Sequence, residues 1–148
     1  MENQMKMTFP ALPENEALAR MAVSAFVLPL DPTLEQLADI KTAVSEAVTN
    51  SIIHGYPMGE GTVTLSAEIE DGLLRMEVRD TGVGIENVQE AMRPFYTTKS
   101  AGERSGMGFL VMQSFMDDVE VRSAVRIGTS VRMTKRIRNA RDNSARMA

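Results

Sequence analysis

Apolar and polar residues alternate over residues 5–9, Met-Lys-Met-Thr-Phe, which predicts a strand that Pro10 and Pro13 end. The period then lengthens. Residues 14–28 predict a helix with Leu18, Ala22, Ala25 and Phe26 on one side. Asp31-Pro32-Thr33 breaks it and offers Thr33 as N-cap of a longer helix, about 34–53, with an apolar stripe of Leu37, Ile40, Val44, Ala47 and Val48. Residues 55–61, with Pro57 and Gly59, predict a loop. Two alternating runs follow, 62–70 and 73–80, joined by Asp71-Gly72, a strong hairpin signal. Residues 81–86 form a Gly-rich turn and 87–92 a short helix. Residues 94–106 are polar and punctuated, as a mobile loop would be. A helix over 108–116 precedes a last strand pair, 118–123 and 129–134, around Gly128. No repeat or internal linker interrupts this order. The pattern predicts one α/β domain: an α+β sandwich with a mixed, mostly antiparallel sheet and helices on one face.

Three short segments within that frame carry candidate chemistry. Glu46 and Asn50 sit four apart on the second long helix, so their side chains share a face. That face is opposite the Val44/Val48 stripe. Two readings stand: an ordinary solvated face, or the wall of a cleft, with Asn offering a hard oxygen to Mg²⁺ and Glu a base one turn away. Asp80-Thr81-Gly82-Val83-Gly84 ends a strand. Strand parity puts Asp80 on the same face as Leu74, Met76 and Val78, where a carboxylate is costly unless paired. Asp80 either caps the turn or serves a ligand, and the glycines permit close backbone approach. Ser105-Gly106-Met107-Gly108 opens a helix, a geometry that suits phosphate. No Gly-Lys-Ser/Thr is present, so this is not a Walker A loop; the dinucleotide spacing GxGxxG fails as well.

Composition narrows the chemistry. At 148 residues and 43% apolar, the chain is long and greasy enough for a core. It has no Cys, which excludes disulfides, thiolate metal sites and a cysteine nucleophile. His54, the one histidine, cannot build a multi-histidine zinc site. The 12 methionines read as adaptable core filler. No run approaches the ~20 apolar residues of a membrane span. Met1–Phe9 carries Glu2 and no long apolar stretch, unlike a signal peptide, so a cytoplasmic location is expected. Net charge is −4; residues 135–148 hold Lys135, Arg136, Arg138, Arg141 and Arg146 against Asp142, and this +4 leaves −8 on the rest. An acidic body argues against direct nucleic-acid binding. The basic tail, 138–148, after a domain over 1–137, reads as a solvated, frayed terminus, with contact to nucleic acid or an acidic partner as the alternative.

In chain order the segments are E-x-x-x-N on a helix, D-x-G-x-G after a strand, G-x-G opening a helix, and Gly128-Thr129 before the last strand. Together they resemble the N, G1, G2 and G3 boxes of the GHKL (Bergerat-fold) ATPases and kinases, over about residues 5–135. The wording is most similar to the small bacterial serine kinases that bind sigma factors, of the sporulation anti-sigma F type: Glu-Ala-Val-Thr-Asn-Ser-Ile-Ile-His-Gly-Tyr (46–56), Phe-Tyr-Thr-Thr-Lys (95–99) and Glu-Arg-Ser-Gly-Met-Gly-Phe (103–109). The resemblance implies ATP or ADP as ligand and Mg²⁺ as metal. It assigns Asn50 to the metal, Glu46 to the base of phosphotransfer, and Asp80 to the adenine amino group, with the ligand supplying the carboxylate's partner. Gly82 and Gly84 would shape the base pocket, and Thr129 would lie near adenine. Ser105, Gly106, Met107 and Gly108 would present N–H groups to phosphates, with Thr98 and Lys99 in the lid. It also implies a homodimer, a sigma factor as partner, and a Ser on a small anti-anti-sigma protein as substrate. Arg20 on the first helix is then a partner-surface residue; its plain alternative is a solvated helix position. The competing function is a nucleotide-dependent sigma-binding module without kinase activity. A histidine-kinase catalytic domain fits poorly, because no helix pair with its own His is present.

Overall fold

The computed structural model describes residues 2–93 and 108–138. Five strands form one sheet: β1 (Glu2–Pro10), β2 (Thr62–Glu70), β3 (Leu73–Asp80), β4 (Asp118–Ala124) and β5 (Gly128–Arg136). Their order across the sheet is β1-β2-β3-β5-β4. All four pairings are antiparallel, the limiting case of the mostly antiparallel sheet expected. The β2–β3 hairpin closes as its dipeptide demands. Asp71 and Gly72 both take positive φ, 50° and 77°, the signature of a tight two-residue hairpin turn. That turn fixes the register, pairing Leu65 with Val78 and Val63 with Asp80.

Among the described residues, four α-helices accompany the sheet: α1 (Asn15–Val27), α2 (Leu34–Asn50), α3 (Val88–Ala91) and α4 (Gly108–Phe115). α2 packs against α1 on one side and α4 on the other. Its start is well specified. Thr33 accepts from the Gln36 N–H at 3.1 Å, and the Gln36 side chain accepts from the Thr33 N–H at 3.2 Å. This reciprocal capping box satisfies two donors that the helix start would otherwise leave orphaned. The buried stripe of α2 is Ile40, Ala43, Val44, Ala47 and Val48, with Leu37 packed at its edge. These side chains and Met112 of α4 close over Leu65, Leu74, Met76, Val78, Val131 and Met133 of the strands. The opposite sheet face is polar. Its ion pairs, such as Arg132–Glu77 at 2.8 Å and Arg122–Glu120 at 2.7 Å, are surface pairs of small net worth.

Two expectations need correction. α1 buries Ala19, Val23, Ser24 and Val27, whereas Leu18 and Ala25 are exposed and Ala22 and Phe26 half-buried. Two apolar stripes at helical spacing run along α1, and its neighbours decide which one faces inward. The α2 pattern also does not continue as α-helix to residue 53. Residues Ser51–Gly55 form a π-helical turn instead. Among the described residues, no helix is long and apolar enough to cross a membrane. The loop 94–106 and the tail from 139 onward lie outside the described residues.

Candidate functional site

Alternation along β3 turns Leu74, Met76, Val78 and Asp80 to the covered face, and Asp80 is only 4% exposed. A carboxylate there needs partners, and the described residues supply three. The Ser51 hydroxyl donates to Asp80 Oδ2 at 2.7 Å. The backbone N–H groups of Gly82 and Thr129 donate to Oδ1 at 3.0 and 3.3 Å. The protein thus holds this carboxylate from two sides, one of them the turn that follows it. Thr129 stands directly opposite Asp80 in the β3–β5 register, which brings its N–H within reach. Its hydroxyl is shared with Ser123 at 2.8 Å. Ser123 in turn accepts from the Ile85 N–H at 2.7 Å and so ties the 81–86 turn to the last hairpin.

The glycines after Asp80 are packing positions. The Val83 N–H donates to the Gly55 carbonyl at 2.9 Å, so the turn docks on the end of the π-helical segment. A Cβ on Gly82 would stand 2.0 Å from the Gly55 oxygen. Gly84 has φ +77°, and a Cβ there would meet the Ala124 oxygen at 2.2 Å. Tyr56 braces the turn from beneath: its hydroxyl accepts from the Thr81 N–H at 2.8 Å and donates to the Thr62 carbonyl at 2.6 Å. Gly82→Ala is expected to lower stability by about 1–3 kcal/mol, the usual range for forcing an extra methyl into close packing. Chemical denaturation checks this, and an unchanged midpoint would mean that the turn yields freely.

On α2, Glu46 and Asn50 are both half-buried rather than fully solvated, one turn apart on a helix flanked by α1 and α4. Asn50 immediately precedes Ser51. The α2 segment that carries the proposed metal ligand thus leads straight into the residue that holds Asp80. Gly108 is the first residue of α4, whose start is where phosphate-binding N–H groups were expected. Thr98, Lys99, Ser105, Gly106 and Met107 lie outside the described residues. Arg20 stands apart on α1. Its Nε is 3.4 Å from Glu16, and Glu16 accepts a short hydrogen bond from Ser45 of α2. The roles of Ser51, Ser123 and Tyr56 are visible only in the folded chain. A small hydroxyl residue beside Asn50 carries no periodic signal, and only the fold brings it to a residue 29 positions away.

Residues 9–135 match the histidine kinase-like ATPase domain family. The anti-sigma F factor of Bacillus licheniformis is 50% identical over 138 residues, covering 93% of this chain and 94% of that protein. The anti-sigma F factor of Bacillus thuringiensis is 50% identical over 141 residues, covering 95% and 97%. Among solved structures, the RsbU and RsbW domains of Rv1364c from Mycobacterium tuberculosis align with TM-score 0.65 at 18% identity, over 91% of this chain and 32% of that one. The catalytic domain of histidine kinase ThkA aligns with TM-score 0.57 at 16% identity, over 90% and 96%. At such identities these two structures speak for the fold alone. The antiparallel sheet, the helices packed on it and the sequence match agree, and the chain belongs to the histidine kinase-like ATPase (GHKL) domain family, alongside the anti-sigma F factors.

Proposed function

We propose that the chain is an ATP-dependent serine protein kinase that also sequesters a sigma factor of the sporulation sigma F type. The observation that carries the nucleotide half is Asp80: a carboxylate 4% exposed, at the end of an apolar strand face, held by three donors and backed by close-packed glycines. A carboxylate fixed in this way is a strong, oriented acceptor for an amino group such as that of adenine. Gly82 and Thr129 border that acceptor, and Gly84, further along the same turn, is proposed to shape the base pocket with them. Among the described residues, no group of three or more His, Asp or Glu could hold a metal by itself. Mg²⁺ binds through one or two protein oxygens together with nucleotide phosphates, and Asn50 is the proposed protein ligand. Bound Mg-ATP would supply the γ-phosphoryl group and the neutralisation of its charge. Glu46, one turn from Asn50, would take the proton from the substrate serine hydroxyl. Gly108 and the neighbouring Ser105, Gly106 and Met107, with Thr98 and Lys99, are the proposed phosphate contacts.

The partner half rests on similarity to proteins named as anti-sigma F factors and on the surface of α1 and the turn that follows it. Leu18, Met21 and Leu28 are 50%, 59% and 57% exposed, with Arg20 beside them. An apolar stripe flanked by an arginine is a common composition for an interface. We assign it to protein partners, with a homodimer as the working state. The test mixes the purified chain with γ-labelled Mg-ATP, a sigma F-type factor and a small anti-anti-sigma protein. Label on a Ser of that protein, and co-elution of the sigma factor with a dimer of the chain, are expected. ATP and sigma binding without transferred label would leave only the binding module.

A further inference from the structure

The geometry points to Ser51 as the residue that sets recognition of the 6-amino group of the purine, by positioning Asp80. This rests on the adenine-site reading above and goes beyond it. A carboxylate offers about four lone-pair positions. On Asp80, Oδ1 receives two backbone N–H groups, from Gly82 at 3.0 Å and Thr129 at 3.3 Å. Oδ2 receives the Ser51 hydroxyl at 2.7 Å. Three of the four positions are thus filled by the protein, and the one left belongs to Oδ2. It is Ser51 that leaves Oδ2 a single open direction.

Ser51 is itself 4% exposed, and it sits where α2 gives way to the π-helical turn. Its backbone N–H reaches both the Ala47 and Val48 carbonyls. The backbone is therefore anchored while the hydroxyl points across to the end of β3. With its single proton committed to Asp80, the Ser51 oxygen has only lone pairs left for a ligand. The pair Oδ2 and Ser51 Oγ then forms an acceptor-only edge. A 6-amino purine matches that edge. A 6-oxo purine sets lone pairs against lone pairs, and a purine with only hydrogen at C6 gains nothing from it. Removing the Ser51 hydroxyl frees the Asp80 carboxylate to turn and opens a second direction on Oδ2.

The test compares dissociation constants for ATP and for purine riboside triphosphate, which keeps ring, ribose and phosphates but lacks the 6-amino group. Wild-type protein is expected to prefer ATP by roughly ten-fold or more, the worth of one hydrogen bond to a charged acceptor. Ser51→Ala is expected to weaken ATP by about ten-fold and the analogue by less than about two-fold, so the preference collapses. Ser51→Thr, which keeps the donor, should restore it, and Ser51→Cys serves if the alanine variant does not fold. In an Asp80→Asn background, Ser51→Ala should leave the residual preference unchanged, as a double-mutant cycle requires of a residue acting through Asp80. An undiminished ATP preference in Ser51→Ala overturns the proposal, as does equal weakening of both nucleotides. Wild-type protein that binds both equally removes the Asp80–amino contact and the Ser51 role together while sparing nucleotide binding. Wild-type protein that binds neither removes the nucleotide reading itself.

Discussion

Glu46→Gln is expected to slow phosphoryl transfer to the substrate serine by about 10²–10⁴-fold, the usual contribution of a general base. Nucleotide and sigma factor binding should stay close to wild type. The substitution keeps the side chain's length and its helix preference, so α2 and its buried stripe are undisturbed. What is lost is the basic oxygen one turn from Asn50. Asn50→Ala should behave differently, because it removes an oxygen from the metal and so weakens Mg-ATP binding itself. Following label transfer beside a nucleotide titration for each variant separates the two roles. Wild-type transfer rates in Glu46→Gln would show that the base lies elsewhere.

Asp80→Asn is expected to raise the dissociation constant for ATP by ten-fold or more while leaving the fold largely intact. The two backbone N–H groups on Oδ1 cannot reorient, so the asparagine keeps its carbonyl oxygen toward them. Its amide nitrogen then takes the Oδ2 position, where the Ser51 hydroxyl can rotate and accept from it. The protein's own network survives in altered form. The ligand's amino group, however, now meets a donor instead of an acceptor. A hydrogen bond to a charged group is worth about 1.5–3 kcal/mol, which is ten-fold to more than a hundred-fold in affinity. Calorimetric titration measures the loss, and a thermal melt checks the fold. An unchanged dissociation constant would place the adenine base away from Asp80.

The two roles divide along the physical character of their positions. Glu46 lies half-buried on α2, away from that helix's fully buried stripe. Asp80 lies inside the core, at the end of a strand face that is otherwise apolar. Its replacement is tolerable only because a rotatable hydroxyl stands next to it.

Much of this molecule is legible in the order of its residues, because the signals are local. Asp71-Gly72 sets the β2–β3 turn through its backbone preferences, and alternation on either side then dictates which residues face inward, Asp80 included. Thr33 and Gln36, three apart, start α2 without help from any distant residue. Glu46 and Asn50 share a helical face by arithmetic alone. The tertiary structure decided the rest. On α1, two apolar stripes satisfy the same period, and only the packing partners place Ala19, Val23 and Val27 inside while Leu18 and Met21 remain outside. The change from α-helix to π-helical turn at Ser51 has no periodic signature. Its carbonyl at Gly55 takes the Val83 N–H, and Gly82 must be bare to let that happen. The hydrogen bond from Ser51 to Asp80 joins residues 29 apart, and that from Thr129 joins residues 49 apart. Periodicity and turn chemistry act over a few residues, so contacts at such separations exist only once the sheet and helices have packed.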